Sequence, residues 1–209
     1  MKKYFLIAIL SLPVVLFAAD RYTEQMTRSI TAIYKAESPE EYQEAINTFE
    51  RIGSAEKTKW EPFYYASFGY VLLAAESDVS KKDALLDQAQ AALDKAAAIR
   101  PDDSEIFALE GFITMIRLTV DPATRGPQYS MKAMQSFGHA VALNPNNPRA
   151  LALMAQMQLG TAQFFQQLPT EACATAGRAL EMFASTSPAD PLAPAWGKEM
   201  TQGILANCK

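Results

Sequence analysis

Histidine and cysteine are nearly absent: among 209 residues there are one His, His139, and two Cys, Cys173 and Cys208. A structural zinc site takes four ligands, mostly Cys and His, so little is left here for one. Charge is scarce too, at 20% of residues with a formal net charge of -4. A nucleic-acid binder needs clustered Lys and Arg to displace phosphate counterions, so no nucleic-acid partner is expected. Phosphate loops, dinucleotide fingerprints, His-Glu-x-x-His and nucleophile elbows are all missing, which leaves a non-enzymatic reading without a cofactor. His139, inside Ser136-Phe137-Gly138-His139-Ala140, reads as a helix histidine with no acid or nucleophile beside it. Glu110 has no carboxylate partner in the pattern. What is present is apolar: 49% of residues are hydrophobic, too many for a disordered chain.

Part of that apolar content sits at the start. Lys2 and Lys3 precede an uncharged run over residues 4–17, followed by Ala18, Ala19, Asp20 and Arg21. A basic start, a short apolar stretch and a small-residue exit describe a cleaved secretory signal over residues 1–19. The alternatives are an uncleaved anchor or a buried first helix, but the run is short of the roughly 20 residues that span a bilayer. No Cys at the junction points to lipid attachment. Losing two lysines takes the formal charge from -4 to -6. The expected compartment is the periplasm or the exterior, where thiols oxidise. Cys173 and Cys208 then read as a disulfide holding the C-terminus, with two free thiols as the alternative.

From residue 20 to 209 the spacing is helical throughout. Met26, Ile30 and Ile33 share a face over residues 23–35. Ser38 before Pro39 marks a helix start, and Tyr42, Ala45, Ile46, Phe49 and Ile52 form the next stripe. Further helices are predicted over 63–75, 83–99, 104–118, 129–143, 148–159, 170–183 and about 194–207. Self-similarity organises them: Ala45, Ala89, Ala133 and Ala176 are separated by 44, 44 and 43 residues. Phe49, Leu93, Phe137 and Leu180 follow four residues later, and Pro101, Pro145 and Pro188 stop three of the units. A small residue lets a partner helix approach, a large one fills the gap, and Pro turns the chain.

In order, Tyr65, Gly69, Ala89, Leu93, Ala96 and Pro101, then Phe107, Gly111, Ala133, Phe137, Ala140 and Pro145, resemble the signature of the tetratricopeptide repeat. The units are longer than the family's 34 residues, with additions at 76–82, 119–128 and 160–169. The outer units match less well, with Ala155 where Gly is usual. The resemblance implies an all-α solenoid of helical hairpins, about four repeats and a C-terminal capping helix. It also implies a concave groove lined by the first helix of each unit. Register carried over from the family places Phe63, Tyr70, Leu73, Phe112, Met115, Ile116, Arg149 and Gln156 there. An apolar groove with one cationic corner suits a protein or peptide partner. The alternatives are that these residues are core, or that the long connectors and last helix close a small-molecule pocket. Three smaller features complete the reading. Arg125-Gly126-Pro127 is a connector or a rigid turn presenting a cation. Trp196 caps the apolar end of the array. Phe164 and Phe165 either plug the groove or form a sticky exposed patch.

Overall fold

The structure is a computed structural model that describes the backbone of residues 12–185 and 190–208, and the side chains of 21–185 and 190–208. Within these residues the chain forms nine α-helices and no strand. They are α1 (Leu12–Lys35), α2 (Pro39–Ala55), α3 (Glu61–Glu76), α4 (Val79–Ile99), α5 (Ser104–Leu118), α6 (Pro122–Leu143), α7 (Pro148–Phe164), α8 (Thr170–Ser185) and α9 (Lys198–Ala206). The leader expected over residues 1–19 lies outside the described side chains; from Leu12 its backbone is part of α1. Pro188 also lies outside the described residues. No helix of the described chain is long and apolar enough to cross a membrane.

Starts are set by side chains that satisfy orphan N–H groups. Ser38 accepts from the Glu41 N–H, Asp121 from Thr124, and Asn147 from both Arg149 and Ala150. Proline stands in the first turn of α2, α3, α6 and α7, where its missing N–H costs nothing. The additions to the repeat have two fates. Those at 76–82 and 119–128 are mostly helix, because α4 starts at Val79 and α6 at Pro122. Arg125-Gly126-Pro127 is therefore not a turn. It lies in the second turn of α6, where the Arg125 guanidinium holds Asp83 at 2.7 and 2.8 Å. The addition at 160–169 instead lengthens α7 by one turn and then leaves the helix.

The helices pair as α1/α2, α3/α4, α5/α6 and α7/α8; α1, α3, α5 and α7 form an inner layer that α9 continues beside α7. Ala45, Ala89, Ala133 and Ala176 are all buried, with Phe49, Leu93 and Phe137 fully buried one turn on. Each such large side chain contributes about 1.5–3 kcal/mol. Gly69 and Gly111 allow the closest approaches, but toward different neighbours. A Cβ on Gly111 would strike the Phe137 ring of α6, its own hairpin partner. A Cβ on Gly69 would lie 2.6 Å from Ile46 Cγ1 of α2, in the preceding hairpin.

The chain between α8 and α9 makes a strap. Residues 190–197 recross the inner layer before Gly197, at φ +104°, turns them into α9. Cys173 of α8 and Cys208 beyond α9 are joined by the expected disulfide.

Candidate functional site

The strap fills the inner face on which a groove is expected. Trp196 stacks between Phe68 of α3 (4.9 Å) and Phe112 of α5 (5.9 Å). Its indole N–H donates to the Tyr64 hydroxyl at 3.1 Å, and the Tyr65 hydroxyl donates to the Leu192 carbonyl at 3.0 Å. The Ala195 N–H donates to Tyr34 of α1 at 3.1 Å. Trp196 is thus not an end cap in the last helix; it is the central side chain of the strap. Burial pushes the hydroxyls of Tyr34, Tyr64 and Tyr65 well above the ordinary phenol range.

The eight expected groove residues separate into two groups. Phe112 lies under Trp196, and Arg149 reaches the same region, where its guanidinium grips Glu105 through two bonds of 2.6 and 2.7 Å. Met115, Ile116 and Gln156 are half-buried on α5 and α7. Phe63, Tyr70 and Leu73 do not join them. The Phe63 ring packs on Gly53 of α2 under Lys95 of α4. The Tyr70 hydroxyl donates to Glu50 of α2 at 2.9 Å, and burial pushes its pKa up to about 12. Leu73 is core. The reason is register. One residue rotates a helix by about 100°, and Gly69 faces a different neighbour from Gly111. Tyr64 and Phe68, one turn apart, face the strap, while Phe63 and Tyr70 face α2.

The exposed apolar surface lies elsewhere, at the third addition. α7 ends where Phe165 N–H bonds to Thr161 and Gln167 N–H to Ala162, with Gln166 in the left-handed region at φ 53°. That reversal throws the side chains outward: Phe164 is 73% exposed, Phe165 62% and Leu168 86%. The two Phe rings meet edge to face at 5.1 Å. Met131 of α6 is 69% exposed, three residues before the Met134 that lines the neighbouring cleft. Beside this shelf opens a cleft of about 250 Å³, lined by Met134, Gln158, Thr161, Ala162, Gln167, Leu168, Pro169, Glu171 and Ala172. In it the Gln158 amide donates through Nε2 to Glu171 Oε1 at 2.9 Å, while its Oε1 is buried without a donor. A larger cleft of about 310 Å³ between α1 and α2 is lined by Ser29, Ala32, Lys35, Ala36, Glu41, Glu44, Ala45 and Thr48. It offers only small, short or charged side chains, so the shelf is the better candidate for an apolar ligand.

His139 and Glu110 make separate contacts. His139 is exposed and lies edge to face on Phe107 at 4.2 Å. Glu110 accepts from the Ser136 hydroxyl at 3.1 Å. No cluster of three metal-ligating side chains occurs among the described residues. The pattern of the sequence signals the Phe164-Phe165 pair, which breaks helical period just before Pro169. It does not signal Gln158, Glu171 or Met134, whose meeting depends on how α6, α7 and α8 pack.

No family model and no curated protein matches the chain. Among solved structures, a thermophilic tetratricopeptide-repeat protein of Thermus thermophilus, TTC0263, superposes with a TM-score of 0.58 at 19% identity, covering 95% of this chain and 96% of that one. That likeness shows the fold, a tetratricopeptide-like helical solenoid. The HusA haemophore from Porphyromonas gingivalis superposes with a TM-score of 0.81 at 31% identity, covering 90% of this chain and 92% of that one. With that identity carried over nearly the full length of both, the chain belongs to the family of the HusA haemophore.

Proposed function

We propose that this protein is a secreted, non-enzymatic carrier of a flat, largely apolar small molecule of the haem class, held on the shelf formed by Phe164, Phe165, Leu168 and Met131. The observation that carries the reading is the exposure of Phe164, Phe165 and Leu168 in one connector whose Leu168 lines a cleft, in a chain 31% identical to a haemophore. Exposed apolar clusters of this kind mark binding sites. The disulfide and the leader-like start support an oxidising, extracytoplasmic setting. At about 250 Å³ the cleft is smaller than pockets that enclose a whole drug-sized ligand, roughly 300–1,000 Å³. A planar ring therefore enters by one edge and rests its face on one of the two phenyl rings, which stand at 89° to each other.

Haemin titration of the mature protein, followed by the Soret band, tests this. Binding is expected, and the double substitution Phe164→Ser, Phe165→Ser should weaken it by about tenfold or more, since each lost aromatic contact is worth about 0.5–1.5 kcal/mol beyond burial. Circular dichroism should not change, because both rings are solvent-facing. Absence of a Soret change would remove the carrier reading; binding that survives the double substitution would move the site off the shelf.

A protein or peptide partner is the second reading, and the same exposed shelf favours it. The inner groove supports it less, since a peptide there must first displace Leu192 and Trp196. Crosslinks in intact cells that disappear with the double substitution, without haemin binding, would select it.

A further inference from the structure

The chemistry of the cleft restricts which edge of a ring can enter, an inference that rests on the carrier reading. Gln158 Nε2 is fixed on Glu171 Oε1 at 2.9 Å. The opposite amide orientation would set two acceptor oxygens face to face, so Oε1 must be the atom left buried without a donor. A ligand carboxylate brought to that point would place acceptor against acceptor. It would also meet the charge of Glu171, and the described lining holds no Lys, Arg or His to offset it. Burying a charge without a partner is among the costliest arrangements available. We propose that the cleft, through Gln158 and Glu171, selects a carboxylate-free edge of a porphyrin-type ring and excludes an edge bearing carboxylates. The acidic substituents of a bound ligand then point to solvent, away from α8.

The test compares two iron porphyrins on the full mature protein: haemin, whose carboxylates sit on one edge, and coprohaemin, which carries a carboxylate side chain on every pyrrole and has no free edge. Wild-type protein is expected to prefer haemin by about tenfold or more. In Glu171→Gln the ratio of the two affinities should fall toward unity, because the repelling charge is gone. Equal affinities in the wild type would overturn the inference while leaving the carrier reading intact. A ratio unchanged in Glu171→Gln would overturn the role given to that carboxylate. Failure of haemin itself to bind would instead remove the carrier reading.

Discussion

Tyr22, Tyr64 and Tyr65 each hold a phenol whose ionised form is opposed first by burial. Their folded-state pKa values lie above the ordinary value near 10, so the protonated form is favoured in the folded chain. The stability this represents is fully present below pH 10 and is lost as pH rises beyond it. Alkaline titration followed at 295 nm should therefore show these tyrosines ionising together with the loss of helical ellipticity, after the exposed ones. Tyr65→Phe should cost about 1–3 kcal/mol at neutral pH, by orphaning the Leu192 carbonyl, yet reduce the steepness of the alkaline transition. The residue scale is also where the family register misleads. Ala45, Ala89, Ala133 and Ala176 are legible because burial demands a small residue wherever helices touch. The groove set is not, because the rotation of α3 about its axis decides which side chains face inward, and the neighbour of Gly69 shows that rotation only once the helices are packed.

At the scale of elements, helix existence was legible from period and caps, and α5 falls on its expected bounds of 104–118. Less legible was the fate of the additions. Residues 119–128 contain Asp, Pro and Gly, typical of turns, yet Asp121 caps them into α6 and Asp83 holds Arg125 in place. Residues 194–197 carry apolar spacing but stay non-helical, since Pro194 and the left-handed Gly197 bound them. The strap and α9 are fastened at one further point, the disulfide, which closes a loop across 35 positions. Replacing both Cys173 and Cys208 by Ser should lower unfolding stability by about 4 kcal/mol on the loop-entropy model. Hydrogen exchange should rise first in residues 198–206, ahead of α3 and α5. Equal exchange rises throughout the chain would show that the bond acts on the whole fold instead.

For the whole molecule, a solenoid read from sequence is a line of units in which each touches only its neighbours. The resemblance conveyed that line, and the pairing of the helices agrees with it. It could not convey that the line folds back on itself, because the contacts joining Leu192 to Tyr65 and Ala195 to Tyr34 span more than a hundred residues and follow no period. Trp196→Ala removes the ring that joins α3 and α5 to the strap, and a Trp→Ala change in a packed site costs about 3–5 kcal/mol. In that variant α1 should open at lower denaturant than α5, by residue-resolved exchange, whereas in the parent they open together.

Seen as a circuit, the strap connects the first hairpin to the last, so a disturbance at either end has two routes to the middle. An open array frays from its termini, and its end units live shorter than its centre. Closure takes that freedom away from the units bearing the shelf: α7 and α8 cannot loosen without pulling on α1. The closed circuit gives a single melting event and a tied-down α9 that proteases reach less readily.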